Sequence, residues 1–207
     1  MLKLIDRIIP RYAHLPLILC GVTQFLAYGV TKYIHIFDFV DMSLPIDHII
    51  PVRTEWVIIY VLSYVYWIVG YIAICRVSKE NCRRLCRADY ISKVICAACF
   101  ILIPTTLPRD PVSSGAFGWM LNIIYALDTP YNLFPSMHCL MSWLIAREMI
   151  GIKNFHPAAK WGAVMFSVLV FASTVFTRQH FVIDIPAGML VAEIARFISH
   201  RLERCKK

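Results

Sequence analysis

His180 and Asp184 stand four residues apart in the run Ser173-Thr-Val-Phe-Thr-Arg-Gln-His-Phe-Val-Ile-Asp184. On a helix that spacing puts the carboxylate one turn from the imidazole on the same face. The carboxylate then accepts one ring N–H and leaves the other nitrogen free, basic and aimed. An imidazole held this way suits attack on phosphorus to give a phosphohistidine, and Arg178 is close enough in sequence to neutralise charge on the equatorial oxygens. A second histidine ends the run Phe134-Pro-Ser136-Met-His138. Proline here marks a helix start, where free backbone N–H groups and the Ser136 hydroxyl can cradle an anion. His138 would then protonate a departing alkoxide. A third cluster, Pro104-Thr-Thr-Leu-Pro-Arg109, offers a guanidinium fork matched to phosphate oxygens. Each cluster alone has a plainer explanation: a structural His–Asp pair, a histidine donating to a carbonyl, an interfacial arginine anchor. Their convergence on one face points to a site.

The elements that must position these residues read as membrane helices. Of 207 residues, 59% are hydrophobic and 16% charged, more apolar content than one soluble core of this size can bury. Trp56 to Cys75 carries no formal charge and is long enough to cross about 30 Å of hydrocarbon. Five weaker segments run from Leu15 to Phe37, Ile91 to Thr106, Ser136 to Ile152, Ala158 to Thr177 and Phe181 to Ser199. The expected fold is all-α: one integral-membrane domain over residues 1–207, a bundle of six transmembrane helices with short outer-side interfacial helices. The long connection from Leu107 to Pro135 should hold structure of its own. Within it, Trp119 to Tyr125 reads as an interfacial helix. Arg76 to Lys93 reads as an arginine-rich loop.

Charge sets the orientation. All of the 21 Lys and Arg except Lys32, Arg53, Arg109 and Arg178 fall at the amino terminus, the second-to-third connection, the fourth-to-fifth region or the tail. By the positive-inside rule both termini are cytoplasmic, so His138, His180 and Asp184 lie near the outer leaflet. The net charge of +8 then reflects topology and attraction to anionic lipid heads, not nucleic-acid binding. The first segment reads as a retained helix, with no signal-peptide cleavage site. The absence of internal repeats counts against a transporter. Eight cysteines, mostly in spans or cytoplasmic regions, do not make a disulfide framework. Cys82-x-x-x-Cys86 and Cys96-x-x-Cys99 superficially look like metal ligands, but neither pair has nearby histidine partners and no zinc site is expected.

Pro135-Ser136-Met137-His138 and His180-x-x-x-Asp184 resemble the second and third signature motifs, PSGH and SR-x5-H-x3-D, of the type-2 phosphatidic acid phosphatase superfamily. The match departs from the pattern in places. Met137 replaces a glycine, Ser173-Thr174 stands where Ser-Arg is usual, and in the first motif, K-x6-RP, Leu102 occupies the lysine position and Asp110 separates Arg109 from Pro111. The detail looks closer to the branch containing inositolphosphorylceramide and sphingomyelin synthases. The resemblance implies His180 as nucleophile, Asp184 orienting it, His138 as general acid, and Arg109, Ser136 and Arg178 holding phosphate. It also implies no metal and no other cofactor. The expected activity is hydrolysis of a lipid phosphate or diphosphate, with transfer of the phospho-headgroup to an alcohol as the alternative. A bacterial inner membrane is the expected location. Lipid phosphate and membrane lipids are the expected partners.

Overall fold

The computed structural model describes residues 6–34, 36–112 and 115–205; Lys3, Lys206 and Lys207 of the charge pattern lie outside them. Helix α1 (Arg11–Gln24) runs on through a π-helical turn, Phe25–Val30, and a 3-10 turn, Thr31–Tyr33. It is followed by α2 (Val57–Val77), α3 (Lys79–Leu102), the short α4 (Gly115–Leu127), α5 (Met137–Gly151), α6 (Pro157–Phe176) and α7 (Asp184–Arg204). No strand forms among the described residues, only two isolated bridges, Val40 with Thr105 and Thr106 with Tyr131.

The six long helices coincide with the six apolar segments, but only three, Arg11–Tyr33, Thr54–Val77 and Pro157–Phe176, are long and apolar enough to cross a membrane by length and composition. The six-span expectation therefore narrows to a helical membrane bundle with three such helices. The physical reason lies in packing. α5 sits between α2, α6 and α7, and its residues are mostly buried. A helix screened from lipid by its neighbours need not be apolar all round. α3 and α7 pack along each other and pair their charges, Arg83 and Arg87 with Glu203. The outward faces remain apolar, with Leu62, Val65, Ile68, Trp161, Met165, Leu190 and Phe197 exposed.

The expected loop from Arg76 to Lys93 is helix instead. Only Ser78 separates α2 from α3; it is extended, and its hydroxyl accepts from the Asn81 N–H. The stretch after it contains neither glycine nor proline, so one N-cap starts a helix that runs unbroken to Leu102. Trp119–Tyr125 is helical as expected, within the longer α4.

Small residues let the helices close up. A Cβ on Gly70 of α2 would meet Ile145 Cγ2 of α5 at 2.7 Å. Trp67 Nε1 donates to Ser142 Oγ at 2.9 Å, and Ser167 Oγ donates to the Ser142 carbonyl at 2.9 Å, joining α2, α5 and α6 through buried polar groups. At one end of the bundle Arg76 donates to the carbonyls of Arg7 and Ile8, and Glu203 meets α3, so both chain ends lie together. The two histidines lie at the other end.

Candidate active site

His180 sits in the turn between α6 and α7. The Thr174 carbonyl accepts from both Gln179 N (2.9 Å) and His180 N (3.1 Å), folding the chain back at the end of α6. Arg178 takes the left-handed conformation there, φ 51°, which a helix C-terminus needs and glycine usually supplies. Asp184 begins α7 and is fully buried. Its Oδ2 accepts from His180 Nδ1 at 3.1 Å and from Phe181 N at 2.9 Å. His180 Nε2 makes no hydrogen bond among the described residues.

His138 is one residue into α5. Ser136 caps that helix, its Oγ accepting from Cys139 N at 3.3 Å, and Ser136 N donates to the Asp184 carbonyl at 3.3 Å. The start of α5 is thereby fastened to the start of α7. Gly188 makes this contact feasible, since a Cβ there would stand 2.5 Å from the Ser136 carbonyl oxygen. The His138 ring stacks on Tyr60 (centroids 4.3 Å apart), lies 4.9 Å from Trp67 and meets Tyr64 edge-on at 5.5 Å. Aromatic walls on several sides fix its rotamer, while its Nε2 is buried without a partner among the described residues. The two imidazole centroids are 5.9 Å apart.

His180 lines two cavities. The inner one, about 160 Å³, is shared with His138, Tyr64, Trp67, Asp128 and Gln179. The outer one, about 460 Å³, is lined by Asp41, Asp47, His48, Thr106, Arg178 and Phe181 among others. His180 therefore stands between a smaller inner cavity and a wider outer one.

The structure brings His180 and His138 to the inner cavity and Arg178 to the outer one, while Asp184 lines neither and reaches the site through His180. Arg109 lies beside it, donating to the Asp128 carbonyl at 2.8 Å and the Gln179 carbonyl at 3.5 Å with its guanidinium 5.5 Å from the Tyr125 ring centre. Ser136 differs from its expected use: it is fully buried as the α5 cap and lines neither cavity. Leu102, in the lysine place of the first motif, is 62% exposed on the outside of α3, and Thr174, in the arginine place of the third, is buried in the turn.

Several site residues carried no legible signal in the sequence. Asp128 accepts from the hydroxyls of Tyr28 and of Tyr60, the latter at 3.2 Å. Asp47 Oδ1 accepts from Val182 N at 2.8 Å and ties the first outer segment to the histidine turn. The spacing of Tyr60, Tyr64 and Trp67, four and three residues apart, is the signal from which a shared α2 face could have been read.

A family model described as the PAP2 superfamily matches residues 40–198. Among solved structures, the crystal structure of Aquifex aeolicus LpxE superposes with a TM-score of 0.57 at 18% identity, covering 81% of this chain and 99% of that one. That likeness is one of fold. No curated protein matches the sequence.

Proposed function

The chain belongs to the PAP2 superfamily, and on that premise we propose that it is a membrane lipid phosphatase working through a phosphohistidine at His180. The observation that carries the proposal is the pairing of His180 Nδ1 with buried Asp184, which leaves Nε2 free, with the His138 ring 5.9 Å away across one cavity. The phosphorus would lie at His180 Nε2, with the leaving oxygen on its far side towards His138.

A lipid phosphate or diphosphate enters by the outer mouth, its phosphate drawn by Arg178. His180 Nε2 attacks phosphorus as the bond to the lipid oxygen breaks, and His138 gives that oxygen its proton. Asp184 stabilises the imidazolium that forms. His138, now neutral, takes a proton from water, which attacks the phosphohistidine and releases inorganic phosphate. Arg109 holds the phosphate by exchanging its long contact to the Gln179 carbonyl for an anionic oxygen, and Ser136 acts by fixing α5 against α7. No step calls for a metal. Arg7 and Glu203, near the two ends of the described residues, lie at the basic end of the bundle, which supports a cytoplasmic assignment for that end and an outer-leaflet position for the site. Phosphatidate, phosphatidylglycerophosphate and polyprenyl diphosphates have the required chemistry.

The test is phosphate release by purified, detergent-solubilised protein from a panel of these lipids, with EDTA present, beside His180→Ala and His138→Ala. Release that persists in EDTA and vanishes in both variants is expected. A base-stable, acid-labile phosphoenzyme should form on the wild-type chain and not on His180→Ala. Folded protein that releases no phosphate from any lipid, but passes the phospho-headgroup to an added alcohol, would replace hydrolysis with transfer at the same histidine.

A further inference from the structure

At the end of the bundle opposite the histidines, two helices bring three thiols to one buried point. The sulfurs of Cys75, Cys82 and Cys86 all lie within 4.8 Å of one another. Cys20 lies outside that close spacing. Cys75 ends α2, Cys82 and Cys86 share a face of α3 one turn apart, and Cys20 comes from α1. Cys75, Cys82 and Cys86 are at most 1% exposed and Cys20 is 8% exposed. Fifteen residues along α2 separate Cys75 from Tyr60, about 22 Å of helix, so this cluster is remote from the phosphate site.

We propose that Cys75, Cys82 and Cys86 form a thiolate site for a soft divalent cation, Zn2+, that staples the α2–α3 hairpin and draws in Cys20 of α1 as its fourth ligand. A tetrahedral zinc with Zn–S bonds of about 2.3 Å needs sulfur–sulfur edges of about 3.8 Å. The spread of up to 4.8 Å among the three reaches that by rotamer adjustments of roughly an ångström, and Cys20 requires a larger one. The three thiols are closed to solvent, the setting of a structural rather than a catalytic zinc.

The surroundings favour the charge. Each thiol releases its proton to solvent as the metal binds, leaving a net negative centre. Cys82 lies near the start of α3, at the positive end of a 24-residue helix dipole. Asp89, one turn beyond Cys86 on α3, is already matched by Lys93 at 3.5 Å and by the Tyr71 hydroxyl at 2.6 Å. Tyr12 donates to the Cys75 carbonyl at 2.7 Å and holds α1 in place over the cluster. Sequence spacing showed only the Cys82-x-x-x-Cys86 pair. Its partners are one and two helices away, and the superfamily match begins at residue 40, so α1 and its Cys20 lie outside it.

The full chain, purified in detergent under reducing conditions without chelator, should carry about one zinc per chain by elemental analysis. Co2+ exchanged into it should give the intense near-ultraviolet thiolate-to-cobalt charge transfer and visible bands of a tetrahedral thiolate site. Cys82→Ser and Cys86→Ser should each weaken metal binding at least tenfold, while Cys99→Ser should leave it unchanged. A second readout needs no variant: alkylation mapped by mass spectrometry should find Cys20, Cys75, Cys82 and Cys86 protected until a chelator is added. Absence of zinc and cobalt uptake by the reduced wild-type chain, zinc retained by both serine variants, or alkylation indifferent to chelator would each overturn the site.

Discussion

Gly188→Ala isolates the helix contact that sets the distance between the two histidines. The added methyl would stand 2.5 Å from the Ser136 carbonyl oxygen, 3.2 Å from Leu140 N and 3.3 Å from Cys139 Cβ. Ordinary contact begins near 3.4 Å, so the start of α5 must part from α7 by about 0.9 Å, and the obstruction is backbone that cannot rotate away. His138 travels with α5, while His180 stays with α7 through Asp184. A misplacement of about 1 Å at a reacting centre costs roughly 100-fold in rate, so kcat should fall between about 30- and 100-fold with little change in KM. Stability combines a loss of about 1–3 kcal/mol for overpacking with a gain of up to about 1 kcal/mol for replacing a helical glycine. The net is a loss of about 0–3 kcal/mol, or a Tm lower by roughly 0–12 °C for a chain of this size. Gly162→Ala is the matched control, because a Cβ there meets nothing within 4 Å. It should keep kcat within about twofold and raise Tm slightly. Phosphate release from a lipid phosphate and thermal unfolding in the same detergent measure both. A folded Gly188→Ala protein with at least half the wild-type kcat would refute the idea that this close approach positions His138.

Asp184→Asn keeps the shape but turns two charge-assisted hydrogen bonds into neutral ones and should lower kcat by roughly 100-fold or more, with lipid binding retained; unchanged kcat in a steady-state assay would remove Asp184 from the mechanism. Arg178→Gly should separate stability from activity. Relief of the left-handed conformation adds up to about 1 kcal/mol to unfolding stability, while loss of the guanidinium cuts kcat/KM by at least about tenfold; a variant both less stable and fully active would contradict both roles. Tyr60→Phe should be mild, since it keeps the ring stacked on His138 and removes only the bond to Asp128, whereas Tyr60→Ala frees the His138 rotamer and should cost much more in kcat. Burial pushes the Glu203 carboxyl up, but Arg83 and Arg87 more than offset this and hold it below its ordinary value. A depressed carboxylate contributes stability that is complete above its unfolded pKa and disappears as pH falls through its lower folded pKa. Thermal unfolding should therefore show an acid loss below the ordinary value of 4.5 that Glu203→Gln removes; an identical acid slope in the variant would show that this cluster is not its source.

The sequence alone determined the His180–Asp184 pairing and most of the helices that carry it. His180 and Asp184 are four residues apart, so their contact needs only a local turn, and local geometry is what spacing encodes. The apolar segments likewise announce themselves, because a face turned to lipid must be apolar residue by residue. The α3 boundary was misjudged for the same reason in reverse. Lys79 to Lys93 looks like a loop by charge, yet its residues are good helix formers behind a serine cap and their charges are matched by α7. Which long helices face lipid and which lie among their neighbours was likewise decided by packing. Only the tertiary structure decided what comes together across helices: His138 opposite His180, the aromatic walls of α2 around it, Ser136 spent as a cap, Gly188 against the α5 backbone, and three cysteines from two helices at the far end. Those contacts join residues far apart in sequence. Their distances depend on how the helices cross and on the volume of each side chain between them, quantities that no spacing along one chain contains.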